Sequence, residues 1–311
     1  MNAADYTLQA VKGIKEVFNN AMSDMLTQFM ENRVIDFYVT GEADEIFTST
    51  EGLAGIEDLG DEETPPSLSL EDGYSATFSP DRKGGAIVIP EGVYAVDQGD
   101  STVKVDNFLR EQRDQLLKAT QNKMLVSAFY MLNNAHNSAA VTLAPDSVEL
   151  CGTHTWATGG TFNNSATAAL DADAVDDLEK YAGDFYDPTD TDRPYPHDFD
   201  IIVVKKGSDN ANMAKKLFAF GISPIAVADI NIYVGSKTVV ETPYLTTANT
   251  NYWFARDSKF RNPLILGINR APALREPIKE SNEAIRSNCT AFWKRGIRNI
   301  PHSIYGSDGT T

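Results

Sequence analysis

The side chains best able to do chemistry are few and scattered. Four histidines, His136, His154, His197 and His302, form no HExxH motif and no pair at helical spacing, and the two cysteines, Cys151 and Cys289, lie far apart with no CxxC. A zinc site draws three or four N or S ligands from closely spaced positions, so no metal centre is predicted. His154, within Leu150-Cys151-Gly152-Thr153-His154-Thr155-Trp156, has no marked nucleophile or orienting acid and reads as a hydrogen-bonded structural residue. The chain also lacks GxSxG, GxxxxGK[ST] and a GxGxxG after a strand, which removes the common hydrolase and nucleotide-binding readings. Two aspartates in Asp187-Pro188-Thr189-Asp190-Thr191-Asp192 could help hold Ca²⁺, but the turn glycine and the bidentate glutamate are missing. A solvated loop is the expectation there, with a soluble calcium-dependent hydrolase or carbohydrate-binding module as the alternative. No catalytic residue, cofactor or metal is assigned. The cysteines read as two reduced thiols, with one long-range disulfide as the alternative.

Charge is distributed with far more pattern. The 311 residues carry 27 Lys+Arg against 44 Asp+Glu, a formal charge of −17. Residues 256–298 hold 10 cations and 4 anions, whereas residues 1–255 hold 17 and 39. A chain acidic early and basic late is complementary to a copy of itself. The candidate inter-subunit contacts are therefore the acidic cluster Glu57, Asp58, Asp61, Glu62 and Glu63, and the basic residues Arg256, Lys259, Arg261, Arg270, Arg275 and Lys279. Net acidity argues against a histone-like coat on nucleic acid, so any duplex partner is met weakly and locally. Neither a membrane-spanning run nor an export signal is predicted.

Several elements must position these charges. Leu8, Val11, Ile14, Val17, Phe18, Met22, Met25, Leu26 and Phe29 recur at steps of three and four, which predicts an amphipathic helix over residues 6–31. Val34 to Phe47 reads as extended. Thr50 to Pro66 is rich in Gly, Pro and carboxylates and cannot bury a core, so it is an exposed loop. Strands at Tyr74–Phe78 and Ala86–Ile89 then make residues 44–92 a long projecting hairpin with an acidic tip, Pro80 to Gly85 being a second turn candidate. Asp106 is a candidate N-cap for a long spine helix carrying Phe108, Leu109, Leu116, Leu117, Thr120, Met124, Leu125, Phe129 and Leu132 on one face. Ser147–Leu150 reads as a short strand and Thr153–Ser165 as a polar loop. Asp171 or Asp173 caps a helix reaching about Tyr181. Phe199–Val204 is a buried strand, followed by a helix from about Asp209 to Phe220. Ile230–Val234 and Thr238–Glu241 alternate around Gly235-Ser236-Lys237, and Tyr252–Ala255 is a further strand. Helices and strands mix without βαβ repetition, so the fold class is α+β.

In their order these segments resemble the major capsid proteins of tailed bacteriophages, which share the Hong Kong 97-type fold. Gly73-Tyr74-Ser75-Ala76-Thr77-Phe78, followed by the helix ending Ala128-Phe129-Tyr130-Met131-Leu132-Asn133-Asn134-Ala135, is similar to that family's extended loop and long helix. Gly159-Gly160-Thr161-Phe162-Asn163-Asn164, Val239-Val240-Glu241-Thr242-Pro243-Tyr244-Leu245 and Phe292-Trp293-Lys294-Arg295-Gly296 resemble segments of Mu-like major head subunits. The resemblance implies an N-arm over 1–43, an extended loop over 44–97, a peripheral domain over 98–169 and 267–311 with its spine helix at 103–135, and an axial domain over 170–266. It implies a non-enzymatic shell of hexamers and pentamers around a packaged double-stranded DNA, in a virion assembled in the host bacterial cytoplasm. Portal, scaffolding and decoration proteins are the expected further partners, with no membrane. The alternative within this fold is an encapsulin-like shell of a cellular nanocompartment. Independently of any family, a long two-stranded projection and an untethered amphipathic arm both predict a chain that needs neighbours.

Overall fold

A computed structural model describes residues 11–12, 15–22, 34–51, 71–91, 101–187, 190–219, 233–246, 250–282 and 284–310. Its strands are β1 (Asp36–Val39), β2 (Glu45–Glu51), β3 (Glu71–Phe78), β4 (Asp81–Ile89), β5 (Thr153–Thr155), β6 (Thr161–Asn163), β7 (Ser165–Ala166), β8 (Tyr186–Asp187), β9 (Asp190–Pro194), β10 (Ile201–Lys205), β11 (Thr238–Thr242), β12 (Trp253–Arg256), β13 (Leu264–Leu274), β14 (Ile278–Lys279), β15 (Ile285–Ile297) and β16 (Ile304–Ser307). The helices after the N-terminal one are α1 (Ser101–Ala128), α2 (Tyr130–Asn133), α3 (Ala172–Gly183) and α4 (Asp209–Ala219). None of the described helices is long and apolar enough to cross a membrane.

Two five-stranded sheets organise the chain. In the first, β1, β13, β15 and β14 follow in order and β4 adds to β15; in the second the order is β11-β10-β12-β16-β7. Strand β10 is the continuous apolar run that predicted burial on both faces, and it is buried on both. Ile201 and Val203 enter the main core with the first sheet and α1, while Ile202 and Val204 enter a second core against α3 and α4. Each such side chain contributes about 1.5–3 kcal/mol by leaving water. Asp171 caps α3 by accepting the Ala174 amide at 2.8 Å. Asn164 joins the second sheet to the Leu150–Gly152 segment: its Nδ2 donates to the carbonyls of Leu150, Pro301 and Ile304, and its Oδ1 accepts the Gly152 amide.

Several expectations are corrected. The spine helix, expected over 103–135, starts at Ser101, so Asp106 lies inside it and does not cap it. The helix is interrupted at Phe129 and its short continuation ends at Asn133. The Asn133 side chain ties this end to the segment after β11, donating to the Tyr244 carbonyl and accepting the Thr246 amide. Its burial is also uneven: Met124, Leu125, Ala128 and Phe129 are buried, but ahead of them Leu116 and Leu117 are only half covered. Strand β4 is no part of a hairpin with β3; Ile87 and Ile89 draw it into the first sheet beside β15, and Asp81 to Gly85, part of the second turn candidate, are the first half of that strand. Ser147–Leu150 is not a strand: Ser147 has φ 68°, and Ala144 bonds the Val148 carbonyl across a turn. Thr153–Ser165, expected as loop, contains β5 and β6 as a small hairpin and the start of β7. Tyr233 and Val234 lie in a turn, and among the described residues β11 pairs only with β10, parallel to it. Ile230 to Ile232 lie outside the described residues.

The amphipathic N-terminal helix is present over its described residues, 11–12 and 15–22, and it is not untethered. Val11, Phe18 and Met22 are buried in the main core, Asn19 accepts the Leu274 amide, and Lys15 pairs with Glu276. Its apolar face is covered by its own chain, although Val17 stays half exposed.

A third cluster, centred on Trp156, Phe185 and Ile300, encloses two histidines. His197 Nδ1 meets Asp257 Oδ2 at 3.3 Å and its Nε2 faces His302 Nδ1 at 3.4 Å. Rings of Trp156, Phe185, Tyr195 and Phe260 surround His302. Loss of hydration pushes the His302 imidazole down to about 3, with His197 adding to the effect. The unfolded chain, by contrast, takes up that proton near the ordinary 6.5. Stability is therefore full above about pH 6.5 and falls on acidification toward pH 4, at a slope of about 1 kcal/mol per pH unit for this group. His136, also lowered by burial, adds to the slope. Urea unfolding of the unassembled chain between pH 4 and 7 measures it, and His302→Phe is expected to flatten the curve.

Candidate assembly interface

The segment that stands away from both cores is the β2–β3 hairpin. Glu45 to Glu51 pairs antiparallel with Glu71 to Phe78, helped by alternating Ile, Phe, Thr, Tyr and Ser and by a Thr48–Ser75 hydroxyl contact of 3.0 Å across the strands. Among the described side chains of the two strands none is buried, and Ile46 is 67% exposed. A two-stranded ribbon of this kind is marginal in water, so its stability has to come from its root or from a partner.

The root is heavily built. Phe47 and Phe78 lie 5.8 Å apart by ring centroid, and Tyr38 meets Phe47 edge-on at 6.2 Å. Phe78 packs onto β15 at Gly296, where any Cβ would clash with its ring. Beneath the aromatics, the fully buried Lys294 ammonium reaches Glu45 Oε2 at 2.8 Å and the Glu42 carbonyl at 3.3 Å. Tyr38 donates to the same Glu45 oxygen at 2.8 Å; burial first, and then the carboxylate, push its phenol well above the ordinary range. Arg298 pairs with Asp36 at 3.0 Å on the adjoining strand. A buried ion pair of this sort fixes geometry more than it adds stability, because each charge would be costly without the other.

Of the residues nominated from charge, Glu57, Asp58, Asp61, Glu62 and Glu63 lie outside the described residues. The basic set is not one patch. Arg256 is buried at the end of β12, so its guanidinium is not presented at a surface. Lys259 is exposed and pairs with Asp198 at 2.7 Å. Arg261, Arg270, Arg275 and Lys279 are exposed, Arg270 in a register shift of β13, Arg275 after its end and Lys279 on β14. The charge imbalance did not nominate Arg82 and Lys83 as contacts, the sequence placing them in a turn candidate; they lie in β4, beside Arg275 and Arg286. Two cations directly before Gly84-Gly85 and an apolar alternation were the available signal.

The groups that could have done chemistry are structural. His154 Nδ1 contacts Asp146 Oδ2 at 2.9 Å, both side chains being buried, and the histidine stacks on Phe162. Its hydrogen bonds hold the Asp146 carboxyl below the ordinary range, in spite of burial that acts the other way. Both cysteines are free and buried; burial raises the Cys289 thiol to about 11 and the Cys151 thiol further still, so neither is a nucleophile at neutral pH. Among the described residues no group of His, Cys, Asp and Glu could hold a metal ion; the side chains of residues 188–193 lie outside them.

Breaking the root pair has a calculable effect. Glu45→Leu alone strands the buried Lys294 ammonium and is expected to cost about 3–5 kcal/mol, while Lys294→Met alone leaves the part-exposed Glu45 carboxylate and costs less. Lys294→Met with Glu45→Leu removes both charges and is expected to restore most of that. Urea unfolding of the four chains closes the cycle.

No protein-family model matches the chain, and no curated protein sequence does. Solved structures do match. One from Microbacterium phage Oxtober96 is similar at 11% identity over 88% of each chain, with a TM-score of 0.51. The capsid of Myoviridae phage XM1 is similar at 11% identity over 87% of this chain and 88% of that one, with a TM-score of 0.50. With its spine helix, two sheets and projecting hairpin in the expected order, the chain has the α+β Hong Kong 97-type capsid fold.

Proposed function

We propose that the chain is a major capsid protein: many copies close into the icosahedral shell that encloses the genome of a tailed bacteriophage. The observation that carries this reading is the β2–β3 hairpin, rigidly rooted through Lys294 and Glu45 yet without one buried residue along its described length. A strong anchor beneath a bare ribbon supports a segment made to lie on another chain. The protein is not an enzyme on this reading; its work is packing, in hexamers and pentamers of one subunit.

In this reading residues 1–43 are the N-arm, 44–97 the extended loop, 98–169 and 267–311 the peripheral domain, and 170–266 the axial domain. Glu57, Asp58, Asp61, Glu62 and Glu63 of one copy meet a basic surface of the next, drawn from Lys259, Arg261, Arg270, Arg275 and Lys279; Arg256 is too deeply buried to take part. The formal charge of −17 suits a lumen along which duplex DNA slides without sticking, in a virion assembled in the bacterial cytoplasm with portal, scaffolding and decoration proteins.

Electron microscopy of the purified chain is expected to show closed shells of uniform diameter. Glu62→Lys with Glu63→Lys is expected to lower particle yield several-fold and to change its dependence on salt. A chain that stays single at high concentration would overturn the proposal, and particles filled with a protein cargo and no nucleic acid would move it to a cellular compartment shell.

A further inference from the structure

One edge of the first sheet is open. Strand β4 pairs with β15 along its whole length, from Asp81↔Trp293 to Ile89↔Ile285, and with no other strand among the described residues. A nine-residue edge strand presents a row of unpaired backbone donors and acceptors, which natural sheets usually cover or blunt. Here Gly84 and Gly85 sit midway along it and add no side chain of their own, Leu116 of α1 lying against Gly85 on one face.

The two faces beside this edge share one character. Because side chains alternate along a strand, Lys83 and Gly85 lie on the face of the buried Ile87 and Ile89, toward α1. There a cavity of about 430 Å³ is lined by Lys83, Leu116, Thr120 and Lys123. Arg82, Gly84 and Ala86 lie on the opposite face, where a cavity of about 520 Å³ adds Arg275 and Arg286. Two carboxylates are already engaged, Asp81 with Lys83 and Glu280 with Arg286. Arg82, Lys123 and Arg275 have no ion pair among the described residues. In a chain of net charge −17, both sides of one open strand edge are therefore cationic.

We propose that the open edge of β4 receives residues 57–63 of a second copy as an added strand. Main-chain hydrogen bonds supply the attachment and the cations on the two faces supply the selection. An added strand sends successive side chains to opposite faces, so a strand suited to this edge needs carboxylates at adjacent positions. Asp61-Glu62-Glu63 and Glu57-Asp58 have that arrangement, and the connection 52–70 holds five carboxylates and no Lys or Arg. Pro65-Pro66 ends the strand, since proline cannot donate to a ladder. The occupant comes from another copy because β3, eight residues long, holds the end of this connection roughly 25 Å from where its own β4 begins, at about 3.3 Å per residue. Three of these cations, Arg82, Lys83 and Lys123, come from outside the basic stretch 256–298.

The inference rests on the shell reading, and hydrogen exchange of the full-length chain separates the two. In particles, amides of residues 81–89 are expected to exchange at least ten-fold more slowly than in particles dissociated to single chains. Arg82→Glu with Lys123→Glu, one change on each face, is expected to abolish that protection, and adding Glu62→Lys and Glu63→Lys to recover it. Arg82→Gln with Lys123→Gln, expected to weaken protection partially, serves if charge reversal prevents folding. Micrographs without particles overturn the shell reading. Particles whose β4 amides exchange as fast as those of the single chain leave that reading standing and overturn this one.

Discussion

An ammonium group with no access to water must keep its counter-charge within hydrogen-bond reach, and Lys294 keeps it on Glu45. That requirement pins the first residue of β2 to the middle of the central sheet. Tyr38, on the edge strand β1, adds its hydroxyl to the same carboxylate, and Phe78 closes the other strand of the hairpin onto Gly296. The direction in which the hairpin leaves the body is thereby set by groups that cannot move without stranding a charge. Everything outward of this root is a ribbon with little of its own to hold it, and everything inward is ordinary core.

The inward part explains why the root is rigid. Strand β15 bears Lys294 and runs between β13 and β4, and Trp293 beside it donates its indole N–H to Ser127 on the spine helix at 3.1 Å. Arg295 binds the same hydroxyl and lies over the Tyr130 ring, 3.9 Å from its centroid. The last turns of α1 are thus locked onto the sheet that carries the hairpin. The second sheet continues the same core through Ile201, Val203 and Phe254, while its other face, with α3 and α4, is a separate packing unit.

Much of this was legible from residue pattern. The apolar run Phe199–Val204 gave a doubly buried strand, Asp171 gave a cap, and the three- and four-residue steps gave both the N-terminal and spine helices. What failed depended on tertiary partners. Ala86–Ile89 has the alternation of a hairpin strand, and only the distant β15 decides that it joins the central sheet. The N-terminal helix looked unpartnered because its partners, near Leu274 and Glu276, lie some 255 to 261 residues away. The candidate interface was legible as an imbalance of charge and not as a place: burial removes Arg256 and strand pairing brings in Arg82 and Lys83, neither of which a window of net charge can register.

A need for neighbours therefore rests on the hairpin alone and no longer on the N-terminal helix, whose apolar face its own chain covers. A cryo-electron reconstruction of assembled particles tests this most directly, read at Ile46, which is 67% exposed in the single chain. The account predicts that in every copy the hairpin lies on an adjacent subunit and Ile46 is covered by it. Closed particles in which the hairpins stand bare to solvent would contradict it.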